Sequence, residues 1–237
     1  MDQTLSPLLS RNVFRWDHSD AYLFDIDGTL LNTRDGVHYN AFRNAVTNIY
    51  GVDASIDGVP VHGNTDIGIL RAVTRHRGVS DEVFSMKLPG ALQSMREEVA
   101  SRAHLIEAEL CPSIAALLNQ LHAAGKLLGV ASGNLESIGW AKLEKAGVRQ
   151  YFGFGAFSDQ RELREDVVRY GVAQARQRLG AQATVCVVGD TPADIRAARA
   201  AGVAVIAVAT GIFPKTELEA LSPELCVGCC TELFQTA

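Results

Sequence analysis

The chain has 237 residues, 47% apolar and 21% charged, which suits one large domain or a core domain with a smaller insert and excludes a disordered or fibrous protein. A net charge of −5 argues against nucleic acid as a partner. No apolar run approaches the ~20 residues of a membrane span, and the first segment, MDQTLSPLLSRNVFRW, lacks the basic start and long apolar stretch of a secretory signal, so the expectation is a cytoplasmic protein with no membrane partner.

The first strand-like run is AYLFD, residues 21 to 25, followed at once by a second carboxylate and a glycine in DIDGTLLN. Residues 36 to 50 then place Val37, Ala41, Phe42, Ala45, Val46 and Ile49 on one helical stripe, and residues 66 to 77 and 80 to 104 also read as helices. The next strand-like run, KLLGVAS at 126 to 132, lies about a hundred residues after the first, far more than a single crossover needs. A helical insert from Thr33 to Glu109 explains the interval, leaving residues 1–32 and 110–237 as the core. Such an insert begins just after DIDGTLLN and stands over it as a lid.

Beyond the insert, Pro112 opens a helix that stops at Gly125, Asn134 caps one that stops at Gly147, and Pro192 opens one that stops at Gly202. Between them run FGFGAF (152 to 157), VCVVGD (185 to 190) and VAVIAVA (203 to 209). Strands that are continuously apolar are buried on both faces, as in a parallel sheet. The expected fold is α/β, a doubly wound, mostly parallel Rossmann-like sheet with an inserted helical cap. GFGAFS, from Gly153, imitates the start of a dinucleotide fingerprint, but it sits inside a strand-like run with no glycine-rich turn into a helix.

In an open parallel sheet, ligands bind at the carboxyl ends of the strands. Asp25 and Asp27 lie at one such end; Asp190 ends VCVVGD, and Asp194 follows in the first turn of the next helix. Four unpaired carboxylates in one crevice repel each other and raise each other's pKa, a conflict that a hard divalent cation removes. All-oxygen ligands suit Mg²⁺ better than zinc. At a third strand end, Ser132 offers a hydroxyl, Gly133 close backbone approach and Asn134 a helix N-terminus, a set that suits phosphate.

DIDGTL at 25 to 30, SGN at 132 to 134 and GDTPAD at 189 to 194 resemble the signature motifs of the haloacid dehalogenase superfamily, in order and spacing. The likeness is to its phosphoglycolate-phosphatase-like and β-phosphoglucomutase-like branch, which has a helical cap between the first two motifs. The resemblance implies a Mg²⁺-dependent phosphatase acting on a small phosphorylated metabolite. By it, Asp25 is the nucleophile and a metal ligand, and Asp27 the acid/base and a ligand. Asp190 is a ligand, Asp194 a ligand or a support for one, and Gly28, Thr29, Ser132, Gly133 and Asn134 hold the phosphoryl group. A phosphomutase shares these motifs; a haloacid dehalogenase needs neither Asp27 nor Mg²⁺; a phospho-acceptor signalling domain needs no cap.

The family usually supplies a lysine between the second and fourth motifs, yet no lysine occurs between Lys145 and Lys215. SDQRELREDVV offers Arg161 in a loop and Arg164 at a helix start, and Arg161 is preferred because a loop residue after a strand aims at the crevice. In the cap, VPVHGNTD (59 to 66) offers His62, Asn64, Thr65 and Asp66 to the crevice, with Asn64 or Thr65 alternatively capping the following helix. His38 is expected at the surface, and RAVTRHR (71 to 77) reads as a solvated helix face. The five cysteines do not form a disulfide framework: Cys186 reads as core, and Cys226, Cys229 and Cys230 as small residues packing a terminal strand and turn rather than a zinc or redox site.

Overall fold

A strand covered by helices on both faces feeds two cores at once, and that division organises this chain. The computed structural model describes residues 14–59 and 61–235, so most of the segment inspected for a secretory signal, and Pro60 of VPVHGNTD, lie outside the described residues. In chain order the elements are β1 (Ala21–Phe24), β2 (Leu31–Thr33), α1 (Val37–Ala45), α2 (Asp66–His76), α3 (Asp81–Arg102) and β3 (Ala108–Leu110). There follow α4 (Ile114–Ala123), β4 (Leu127–Ala131), α5 (Glu136–Lys145), β5 (Phe154–Ala156), α6 (Arg164–Leu179), β6 (Val185–Gly189), α7 (Pro192–Ala200), β7 (Ala204–Val208), α8 (Lys215–Ala220) and β8 (Leu225–Val227).

Six strands form one parallel sheet in the order β5-β4-β1-β6-β7-β8. Tyr22 and Phe24 point to one face, where they join Leu117, Leu118 and Leu121 of α4, while Ala21 and Leu23 point to the other, among Val167, Val168 and Val172 of α6 and Ile195 of α7. Each residue of β1 is therefore buried, which is why the run is continuously apolar. The GFGAFS decoy contributes the edge strand β5. Cys186 is core, Cys226 lies in β8, and Cys230 is buried in the turn after it.

Two short strands escaped the sequence reading. β2 and β3 pair antiparallel, Leu31 with Leu110 and Thr33 with Ala108, and carry the chain out of the sheet and back. Three residues each, with mixed burial, they leave no periodic signal. Between them α1, a π-helical turn at Val46–Tyr50, α2 and α3 enclose a second apolar core built on Phe42, Leu70, Phe84 and Met95. Among the described residues no helix is long and apolar enough to cross a membrane.

The helical insert is fastened to the sheet through the segment before α2. Thr65 is the N-cap, accepting from the Gly68 N–H at 2.9 Å. The Asp66 N–H donates to the Gly133 carbonyl at 2.8 Å, and the Asp66 carboxylate accepts from the Leu135 N–H at 2.8 Å. A Cβ at Gly133 would stand 2.2 Å from the Asn64 carbonyl oxygen, so glycine is required here by the close approach of the insert's backbone. Gly133→Ala should therefore cost about 1 to 3 kcal/mol, the range for overpacking, and speed amide exchange at Asp66. Unchanged stability with unchanged exchange at Asp66, read by denaturation and hydrogen exchange, contradicts this docking.

Candidate active site

The carboxyl ends of β1, β4 and β6 open into a crevice of about 470 Å³ whose walls include Asp25, Asp27, His38, Ser132, Asn134, Arg164 and Asp190. Adjacent parallel strands set Asp25 beside Asp190: Phe24 is registered with Val188, and the Asp25 N–H donates to the Val188 carbonyl at 2.9 Å. Asp25, Asp190 and Asp194 each offer a carboxylate oxygen within 4.8 Å of the others, all three residues buried. Glycines make the crowding possible. A Cβ on Gly28 would fall 2.4 Å, and one on Gly211 1.8 Å, from an Asp190 carboxylate oxygen.

Arg164, the first residue of α6, is the counter-charge. Its guanidinium reaches Asp25 at 2.9 Å and Asp194 at 2.6 Å, and its side chain is 5% exposed. Asp194 is fully buried, its second oxygen accepting from the Thr191 hydroxyl at 2.7 Å and, to close the capping box of α7, from the Thr191 N–H at 3.1 Å. The two carboxylates in turn raise the Arg164 pKa further against the opposing effect of burial. One cation shared by two of three acids leaves charge over: burial, opposed by Arg164 and reinforced by Asp194 and Asp27, pushes Asp25 up to about 6. Burial together with Asp25 and Asp194 pushes Asp190 up to about 8.

Arg161 is not in this crevice. Its guanidinium lies over the Tyr170 ring at 3.5 Å and lines a separate cavity with Arg149 and Arg178. The preference for Arg161 is thus corrected, because the loop turns it outward and the buried stripe of α6 begins with Arg164. Thr29 also differs from expectation. It is fully buried and donates to Asp190 at 2.7 Å, fixing that carboxylate instead of facing the crevice.

Asp27 stands apart from the trio, turned towards a cation the sequence reading missed. Lys142 of α5, 4% exposed, donates to both Asp27 oxygens at 2.8 Å, to the Asn134 side-chain Oδ1 at 2.8 Å, and lies 3.2 Å from His38 Nδ1. The Asn134 amide donates to Asp27 at 2.8 Å and to Ser132 Oγ at 2.8 Å. Burial alone would raise the Asp27 carboxyl, but the Lys142 charge and the hydrogen bonds from Lys142 and Asn134 outweigh it and hold the pKa below its ordinary value, the reverse of an acid tuned upward. Asp27 is therefore not among the clustered candidate metal ligands. Asn134 does not cap α5, which starts two residues later with Leu135 at its N-cap. His38 is not a surface residue: it bridges Lys142 and Asp66, 3.2 Å from the latter, and joins insert to core.

Of the other insert residues, His62, Asn64 and Asp66 line the crevice. The helix 71–77 is less solvated than its charges suggest, since Arg71 lies over the Phe84 ring and pairs with Glu162 of the core.

A family model described as haloacid dehalogenase-like hydrolase matches residues 19–202, and the chain belongs to that family. It is similar to a protein named probable phosphatase IndB of Dickeya dadantii, 30% identical over 91% of this chain and 92% of that one. It is also similar to a phosphoglycolate phosphatase of Synechococcus elongatus, 27% identical over 91% of this chain and 95% of that one. Among solved structures, CbbY from Rhodobacter sphaeroides in complex with phosphate shares the fold with a TM-score of 0.65, 20% identity, and coverage of 91% and 99%. The chain is an enzyme of this family's phosphatase kind, the activity both curated relatives carry in their names.

The geometry separates the two arginines. Arg164→Ala leaves Asp25 and Asp194 facing each other without a counter-charge and should cost about 3 to 5 kcal/mol in denaturant unfolding. Arg161→Ala loses only a part-exposed cation–π contact, about 0.5 to 1 kcal/mol. The reverse ranking overturns this assignment.

Proposed function

We propose that the chain hydrolyses a small phosphomonoester through an aspartyl-phosphate on Asp25, with Mg²⁺ as the cation of the carboxylate cluster and the helical insert, residues 33–109, as the cap. The observation that carries the reading is the trio of buried carboxylates at two adjacent strand ends, opposite the Ser132–Asn134 segment and under-neutralised by Arg164.

The residues fit a hard cation. The donors are all oxygen, they are close enough to share one ion, and two of them hold their protons abnormally tightly without it. Asp25 and Asp190 face the crevice and would hold the ion, while Asp194, whose oxygens are taken by Arg164 and Thr191, would support it from behind. Bound there, Mg²⁺ supplies neutralisation of the phosphoryl oxygens.

The chain's own groups then divide the chemistry. An Asp25 carboxylate oxygen attacks phosphorus, the bond from phosphorus to the ester oxygen breaks, and the departing alkoxide takes a proton from Asp27. Water next attacks phosphorus, its proton passes to Asp27, and the bond to Asp25 breaks to release orthophosphate. Lys142 and Asn134 hold Asp27 ionised in the resting site; a substrate binding as the phosphate monoanion passes its proton to Asp27, whose proton affinity the resulting dianion raises, and Asp27 gives that proton to the alkoxide and is then the ionised base for the water step. Arg164 keeps the Asp25 carboxylate aimed and charged, and the Ser132 hydroxyl is placed at the crevice wall to donate to a phosphoryl oxygen.

Two outcomes test this. Asp25→Asn should remove turnover by roughly a thousandfold or more with the fold intact, and activity within about tenfold of wild type contradicts a covalent Asp25 mechanism. Because Asp25 and Asp190 bind protons more tightly in the folded chain than in the unfolded one, their protonation stabilises the fold, and that stabilisation is lost as pH rises from about 4 through their raised values near 6 and 8. A cation held there replaces the lost protons. Mg²⁺ should thus raise Tm more at about pH 8.5 than at about pH 5.5, whereas an equal or smaller rise at the higher pH contradicts the assigned ligands.

A further inference from the structure

We infer, resting on the phosphatase reading, that the preferred substrate carries an uncharged, ring-bearing or otherwise apolar leaving group and not a short carboxylate-bearing one. Asp27 has two sides. One borders the crevice lined by Asp25 and Asp190, and the other a second chamber of about 500 Å³ between the insert and the core. The leaving alcohol must stand at Asp27, which gives it its proton, so what lies beyond Asp27 meets the rest of the substrate.

That chamber is walled mainly by hydrocarbon from the insert. Tyr39 and Phe42, three residues apart on α1, share one helix face, and Ile56, Val61 and Ile69 complete the apolar part of the lining, Ile69 standing where the two chambers meet. Aromatic and branched side chains around a space this large suit a ring, which stacks on or packs against them.

The charged groups at its edge are engaged elsewhere. Lys142 is bound to Asp27, Asn134 and His38. Arg34 is paired with Glu109, and both side chains are largely exposed. His38 bridges Lys142 and Asp66. Among the described lining residues, no lysine or arginine lacks a partner, and Asp27 and Asp66 add negative charge. A carboxylate entering here loses water and meets no unpaired lysine or arginine, only the exposed His62 imidazole at the junction of the two chambers, which is unfavourable, while a two-carbon group leaves most of the apolar wall uncovered. The chamber thus departs from what the name of the phosphoglycolate phosphatase relative would suggest for this chain.

The test compares benzyl phosphate with 2-phosphoglycolate, two alkyl esters whose leaving alcohols differ chiefly in what they carry, using the full chain with Mg²⁺. The expected kcat/KM ratio favours benzyl phosphate by at least about tenfold, the scale on which an apolar pocket discriminates. Tyr39→Ser, at a residue 46% exposed and so safe for folding, should narrow the ratio about threefold or more, chiefly through KM for benzyl phosphate. Ile69→Lys, which places an ammonium at the junction of the chambers, should narrow it further by improving phosphoglycolate. Hydrolysis of both esters with phosphoglycolate equal or preferred, or a ratio that neither variant moves, overturns the inference and leaves the phosphatase reading standing. Hydrolysis of neither ester, with wild type and Asp25→Asn alike, overturns both.

Discussion

Arg164 reaching both Asp25 and Asp194 at the carboxyl end of the sheet is the contact on which the rest of this structure depends. Three carboxylates at adjacent strand ends, all buried, are a liability that no amount of apolar packing relieves. The fold answers with one guanidinium from the start of α6, a hydroxyl from Thr29 and a capping box at α7, and it makes room with glycines whose missing side chains would collide with Asp190. The compensation is incomplete, and the incompleteness is chemically useful. Proton affinity left high at Asp25 and Asp190 is affinity available to a cation.

A second charge system lies beside the first and belongs to both parts of the molecule. Lys142, Asn134 and Asp27 come from the core, and His38 and Asp66 from the insert. Asp66 also anchors the insert through backbone hydrogen bonds to Gly133 and Leu135. The side chain that holds Asp27 thus touches a histidine whose position depends on the insert being docked. Docking of the insert and the electrostatic setting of Asp27 are linked by contact, with no longer pathway needed.

Much of this was legible in the sequence because the physics is local. Runs buried on both faces announce the parallel strands, and carboxylates ending two such runs announce the cluster. The first helix of the insert follows from its apolar stripe, and the other two also read as helices from the sequence. What was missed depends on which face a charged residue occupies. Arg164 begins the stripe continued by Val167, Val168, Gly171, Val172 and Ala175, a helical spacing that marks it as inward-facing, whereas Arg161 precedes the helix and has no such stripe. Lys142 similarly follows Ile138 by four residues on the buried side of α5, a signal hidden by the habit of reading lysine as solvated. β2 and β3 had no signal at all, since three residues of mixed burial are set by the partner strand and not by their own pattern.

The most direct measurement is chemical trapping of the intermediate. Acid quench of the enzyme during turnover, borohydride reduction of the acyl phosphate and peptide mapping will mark whichever carboxylate carried phosphorus. The account predicts reduction at Asp25 alone, dependent on substrate; a mark at Asp27, or turnover with no marked carboxylate, contradicts it.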